Sequence, residues 1–343
     1  MQRRMIKLAV AVAATALALV GCAASGGSTD SNADGVASVK LQLQWTWSGA
    51  TAGAAVAVED GFYKDAGVAV NVEQGTGSGP AAQLVAGGGA DMGIADATVI
   101  AQQVEAGAPL VIVAAQNQIS VISVQYLNST GIKTPADLKG KKVAVPQGGG
   151  SGAFLFPLFL ERNGLTEADV EVVNMAPTAM VPSMLEGKVD AMVGDIQIHA
   201  ATLDKQKVDW DQFIFADYGV ATPSQSMFTT QSYLKKNPEG VRRVVAATLK
   251  GWESVLKDPA HAGAVVKKLL PDSVEAVTVA ELAPLKVLMC ADGSTHMGVL
   301  TDEYMADANA ILVEAGLLKA KQDTTTFTNW DYLPAESELP ACS

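Results

Sequence analysis

Short β-branched runs alternate from Val39 onward with longer alanine- and leucine-rich stretches, a rhythm that predicts strands and helices in turn, as in α/β folds. Lys40 to Trp45 alternates like a strand, Ala50 to Glu59 reads as a helix, and Gly61 and Gly67 punctuate its end and the next turn. Val68 to Glu73 is a second strand; Gly75 to Gly79 then leads through Pro80, suited to a first helical position, into a helix ending near Ala86. A strand closing on Asp96, a helix from Thr98 to Ala106 and a strand from Leu110 to Ala115 follow. Farther on, Val143 to Val145 is a strand and the loop Pro146 to Gly152 precedes a helix. Pro157 is not expected deep inside that helix, where it would lose a hydrogen bond and clash. From Pro238 the pattern turns helical over Glu239 to Leu256, Pro259 to Leu270, Val279 to Met289 and Asp302 to Leu317, a tail expected to pack back on a sheet.

One internal echo organises the middle of the chain. Gly88 to Asp96 aligns without gaps on Gly187 to Asp195, and each copy follows a strand, a loop and a short helix and ends on an aspartate just past an apolar strand. Two similar units are predicted, and ligands of open α/β sheets bind outside the carboxyl ends of strands, so Asp96 and Asp195 are expected at one cleft.

The amino terminus changes the picture of where the chain works. Arg3, Arg4 and Lys7 precede an uncharged run from Leu8 to Val20, the order of a secretory signal over residues 1–21, and too short to span a bilayer, which takes about 20 apolar residues. Leu19-Val20-Gly21-Cys22 resembles the bacterial lipobox, which implies cleavage before Cys22 and lipid on it. Residues 22–38, rich in Ser, Gly, Asp and Asn, read as a flexible tether. Without the leader the chain has 21 Lys plus Arg against 36 Asp plus Glu, net −15, and no basic cluster, which excludes nucleic acid as a partner. The remaining 322 residues are enough for two cores, and Cys290 and Cys342 either pair as a disulfide or stand as two thiols.

Several motifs in order then carry a resemblance: Leu41 to Trp45, Glu59 to Val68, Gln83 to Ala86 with Ala90 to Asp96, Ala136 to Val143, Ala247 to Glu253 and Phe327 to Asn329. The chain resembles the solute-binding proteins of ATP-driven (ABC) importers, in the group that includes binders of thiamine pyrimidine precursors, riboflavin and, more distantly, alkylsulfonates. The resemblance implies a periplasmic-binding-protein type II clamp in which each lobe is a mixed sheet flanked by helices. It implies two hinge crossovers, placed near Ser120 to Tyr126 and Gln225 to Thr230. It also implies lobe 1 over 39–122 plus 229–343 and lobe 2 over 123–228, and a monomer that hands a small molecule to a permease and its ATPase. No cofactor or metal is implied. After Trp45 the sequence departs from the pyrimidine-precursor pattern of Pro, Asn and a His before Gly, carrying Trp47, Ser48 and Thr51 instead, of which Trp47 and Thr51 are expected among the ligand contacts.

The expected contacts follow from residue chemistry. Glycines at Gly77, Gly79, Gly149 and Gly150 let backbone amides approach a ligand at helix starts, while Ser78 and Ser151 either add a hydroxyl or cap the helix. Trp45 and Trp47, two apart, either stack on a flat ring from one face or belong to the core, with the resemblance favouring contact for Trp45. Asp96 either accepts from a ligand donor or caps the next helix, and Asp195 with Gln197 is expected to accept donors. The expected ligand is a planar pyrimidine-like or flavin-like heterocycle, with an alkylsulfonate or taurine-like anion as the alternative. Enzyme readings are weaker. Gly148 to Ala153 fits a dinucleotide-loop spacing and nearly a nucleophile elbow, His261 and His296 follow Asp195 in triad order, and the cysteine-rich segment and histidine of the pyrimidine synthase are not recognisable.

Overall fold

The computed structural model describes residues 38–147, 150–290 and 294–342. Among these residues ten strands fall into two sheets of five: β1 Ser38–Gln42, β2 Ala69–Glu73, β3 Met92–Asp96, β4 Leu110–Ala115 and β10 Gln225–Thr230 in the first, and β5 Ile122–Leu127, β6 Lys142–Pro146, β7 Glu171–Met175, β8 Ala191–Asp195 and β9 Trp210–Ile214 in the second. Their orders, β2-β1-β3-β10-β4 and β7-β6-β8-β5-β9, are the same topology twice. In each sheet three parallel strands are followed by one antiparallel neighbour, β10 against β3 and β5 against β8.

The internal echo is built into the ladder. Asp91 Oδ2 accepts the Lys40 amide at 2.8 Å and Asp190 Oδ2 accepts the Lys142 amide at 2.8 Å, so each carboxylate ends the pairing of the sheet's central strand with its neighbour in the same way. Both lysines then reach across to the next strand, Lys40 to Glu73 and Lys142 to Glu171 at 3.3 Å each. These exposed pairs contribute little energy, and their repetition marks two copies of one unit.

The chain passes between sheets through residues 116–121 and 215–224. The Gln116 and Asn117 amides both donate to the Gln225 carbonyl, and the Ser224 amide donates to Asn117, so the two passes are stitched together. This corrects two expectations. β5 already belongs to the second sheet and β10 pairs with β3 and β4 along its whole length, so a boundary after residue 228 would cut through a strand.

The core positions the site. The Ala52–Glu59 and Pro238–Lys257 helices pack on the first sheet around Trp252. β4 is buried at every residue although it is an edge strand, because Phe327 to Asn329 bonds to Ile112 and Gly298 to Ala115, covering the edge. In the second lobe Phe159 stacks on Phe215 with ring centroids 4.6 Å apart. That packing explains Pro157, which lies inside the Ser151–Arg162 helix against expectation: Leu155, Phe156, Leu158, Phe159 and Leu160 around it are all buried, and their burial outweighs a helix cost of about 3 kcal/mol. The helix expected over Val279 to Met289 is two, Glu275–Leu282 and Leu285–Leu288, separated at Pro284. Cys290 and Cys342 form a disulfide.

Candidate functional site

The parallel pairing of β1 with β2 and β3 brings the residues after Gln42, Glu73 and Asp96 to one rim of the first sheet. The Leu43 amide continues the ladder to Glu73, Gly75 donates to the Trp45 carbonyl at 3.2 Å, and Gln42 Nε2 reaches the Leu43, Glu73 and Gln74 carbonyls. Gly75 is required here: a Cβ would stand 2.0 Å from the Leu43 carbonyl oxygen. The glycine loop is therefore zipped onto the segment that carries Trp45. Gly77 adopts φ +147 before the Ser78–Ala86 helix, and Ser78 Oγ accepts the Asp96 amide at 3.1 Å, joining two loops of the rim rather than capping its own helix. An added Cβ at Gly79 or Gly150 would meet nothing within 4 Å, so both positions open onto space.

Two first-lobe expectations are corrected. Trp45 is 49% exposed, but Trp47 is 8% exposed and belongs to the core, because β1 ends at Gln42 and the chain bends before Trp47, which removes the two-residue alternation that would share a face. Thr51 is buried, and its hydroxyl bonds the Thr46 and Ser48 carbonyls while accepting the Ser48 amide, so it builds the Gly49–Thr51 turn instead of facing a solute.

Asp96 and Asp195 end β3 and β8 and do equivalent work. Asp96 Oδ1 accepts the Thr98 amide at 2.9 Å and Oδ2 accepts the Ser224 hydroxyl at 3.1 Å, tying the first helix start to the crossing between lobes. Asp195 Oδ1 accepts the Gln197 and Ile198 amides at 2.7 and 3.1 Å. Burial raises the Asp96 pKa despite its hydrogen bonds, and burial lifts Asp195 to about 6. Gln197 is 1% exposed, and neither amide atom of its side chain has a partner among the described residues. Ser151 opens the Ser151–Arg162 helix after Gly150 at φ +115, on the same rim of the second sheet as Asp195 because β6 and β8 are parallel neighbours. Gly149 and Cys22 lie outside the described residues.

Glu281 went unnoticed in the sequence. Its helix, Glu275–Leu282, packs against both the Gly49–Thr51 turn and the Ile198–Gln206 helix that starts after Asp195, so it spans from one lobe to the other. Glu281 Oε2 accepts the Gly49 amide at 2.7 Å, while burial first and then the Asp195 charge push its pKa up to about 7. Nothing distinguishes it in the sequence from the chain's other 35 acidic residues. Crossing residues Gln116 and Asn117, each 1% exposed with side-chain amides that find no partner among the described residues, were missed too.

The histidines that follow Asp195 in triad order do not come to it. His261 pairs with Asp60 at 2.9 Å and His296 meets Thr295 and Glu336, both away from Asp195. His199, whose Nδ1 accepts the Asp195 amide at 2.8 Å, has its pKa lowered by burial and stays neutral. Among the described residues no group of His, Cys, Asp and Glu could hold a metal, and no helix is long and apolar enough to cross a membrane.

Known proteins share this arrangement. The periplasmic aliphatic sulphonate binding protein SsuA of Escherichia coli superposes with a TM-score of 0.68 at 19% identity, covering 84% of this chain and 96% of that one, a likeness of fold. A binding protein of Brucella abortus is 26% identical over 294 residues, 82% of this chain and 87% of its own length. A protein of Haemophilus influenzae named for thiamine biosynthesis is 32% identical over 155 residues, 44% of this chain and only 49% of its own length. A 4-amino-5-hydroxymethyl-2-methylpyrimidine phosphate synthase of Saccharomyces cerevisiae is 25% identical over 60% of this chain and 64% of its own. The family described as NMT1/THI5 like matches residues 49–262, well over half of the sequence, and the chain belongs to it.

Proposed function

We propose that the chain is an extracytoplasmic lipoprotein that captures a small planar heterocycle between its two lobes and delivers it to an ABC import permease, without itself being an enzyme. The observation that carries this reading is the pairing of two like sheets through a stitched double crossing, with a glycine loop and a half-buried aspartate at the strand ends of each. Such a hinge lets ligand shift an open clamp toward a closed one only by binding the closed form better. The lobes divide at residues 116–121 and 215–224 in this reading, and the chain acts as a monomer. Exposed Trp45 is the surface on which a ring stacks, with Gly77, Ser78 and Gly79 beside it, and Gly150, Ser151, Asp195 and Gln197 close from the second lobe. The sulphonate-binding likeness supports a second reading, an anion held by backbone amides at the helix starts.

Calorimetry with 4-amino-5-hydroxymethyl-2-methylpyrimidine, riboflavin, taurine and hexanesulfonate separates the two. A heterocycle should bind, and Trp45→Ala should weaken it by about 1 kcal/mol, the worth of one stacking contact. Tight binding of a sulfonate alone, indifferent to Trp45, would replace this reading with the second. The anchor has its own test. Cys22→Ala should abolish incorporation of a fatty-acid probe in cells, and equal labelling of wild type and variant would remove lipidation from the proposal.

A further inference from the structure

We infer that the solute carries a positive charge, a compact organic cation with N–H donors of the amidinium type, and that Asp195 and Glu281, one from each lobe, take that charge between them. The inference rests on the cleft being the solute site and adds what the site selects.

Three carboxylates, Asp96, Asp195 and Glu281, lie where the lobes meet, and among the described residues no lysine or arginine forms an ion pair with any of them. The cations of the fold are spent on the exterior, as in Lys40 with Glu73 and Lys142 with Glu171, and the one histidine beside Asp195 is neutral. Asp96 has both oxygens engaged by Thr98 and Ser224, which leaves it structural. Asp195 and Glu281 differ. Asp195 directs only Oδ1 to the helix start, and Glu281 directs only Oε2 to Gly49, so each retains an oxygen that accepts no hydrogen bond among the described residues. Burial raises both toward neutrality, and the Asp195 charge adds to the rise of Glu281, as expected of carboxylates that lack a counter-charge.

An independent observation points to a missing donor and acceptor at the same place. Gln197 sits between Asp195 and the Ile198–Gln206 helix, on which the Glu281 helix packs, and neither atom of its buried side-chain amide has a partner among the described residues. Unsatisfied buried amides are costly and therefore rare, so a group with both an acceptor and donors is expected against it. An amidinium presents two N–H bonds in a plane, the fork that carboxylates accept best, and an anion would meet two carboxylates without a counter-ion. The exposed face of Trp45 is also attractive to a cation.

Three ring compounds matched in shape test this by calorimetry on the full protein: benzamidine, benzamide and benzoate. Benzamidine should bind at least roughly tenfold tighter than benzamide, and benzoate should not bind. Glu281→Gln, which keeps an acceptor for the Gly49 amide and so the fold, should abolish most of the preference for benzamidine over benzamide; Asp195→Asn, still able to cap its helix, should act in the same direction. Circular dichroism of both variants checks folding. Equal or tighter binding of benzamide or benzoate, or benzamidine binding indifferent to Glu281→Gln, overturns the charge inference while capture of a ring between lobes stands. If none of these binds, nor any heterocycle or sulfonate, the reading of the cleft as a solute site falls and this inference with it.

Discussion

Gly251→Ala should destabilise the protein by about 3 kcal/mol, although alanine is the better helix former. In the middle of a helix glycine costs about 1 kcal/mol relative to alanine, so propensity alone predicts a gain. Packing reverses the sign. The Pro238–Lys257 helix lies so close to the Ala52–Glu59 helix that a Cβ at position 251 would stand 2.1 Å from the Gly53 carbonyl oxygen and 3.1 Å from Ala57 Cβ. A carbonyl held in a helix cannot turn aside, so the two helices must separate. On the other side of the contact the Trp252 ring occupies the space where a Cβ at Gly53 would be, within 2.4 Å. Separation would lift that buried indole off its seat and forfeit dispersion contacts across the first lobe's core. The measurement is the urea midpoint of the variant against Gly240→Ala in the same helix, where an added Cβ finds its nearest neighbours at 3.9 and 4.0 Å. The control should be neutral or slightly stabilising, and a Gly251→Ala midpoint at or above wild type would refute the close-packed account.

That contact was not legible in the sequence, and the reason is general to this chain. Alternation of apolar runs located β1 to β4 and β6, and the gapless echo from Gly88 and Gly187 foretold two similar units, because side-chain period and turn chemistry are local properties. The structure gives the echo its physical content in the twin bonds of Asp91 to Lys40 and Asp190 to Lys142. What depends on a partner far along the chain stayed hidden. Trp47 and Thr51 read as cleft residues until a bend after Gln42 turned them inward, and Pro157 read as a helix breaker until its aromatic neighbours outweighed it. Glu281 is 232 residues from the Gly49 amide that it accepts, and no periodicity reports such a pairing. The crossings were displaced by several residues because β5 and β10 look alike at both ends, and only the ladders say which sheet each joins.

Stability should fall as the pH rises from about 4.5 to about 8, with Glu281→Gln removing much of the fall. Asp195 stands at about 6 in the folded protein against 3.8, and Glu281 at about 7 against 4.5, with Asp96 raised in the same direction. Over the window between those values the folded protein holds protons that the unfolded chain has already released, so raising the pH favours unfolding there. A shift of roughly two units on one buried carboxylate costs about 3 kcal/mol once both forms are ionised. Lower down the sign changes. Asp169, held near 2 by Lys139 and Thr166, and Asp137, lowered by the Thr134 and Lys133 amides, contribute stability that is lost as the pH falls through their folded values. A maximum therefore lies on the acid side of neutrality. Urea midpoints of wild type and Glu281→Gln at pH 4.5, 6 and 8 decide the matter: the variant should gain most at pH 8 and least at pH 4.5. Curves that rise from pH 4.5 to 8 in both proteins, or that coincide at pH 8, would mean the two carboxylates are better solvated than their burial implies. The same cost explains why a cation is the complement of this cleft. At neutral pH the protein holds two carboxylates apart from water at the expense of its own stability, and a solute that brings the missing charge recovers that free energy only when both lobes reach it, which makes closure and selectivity one event.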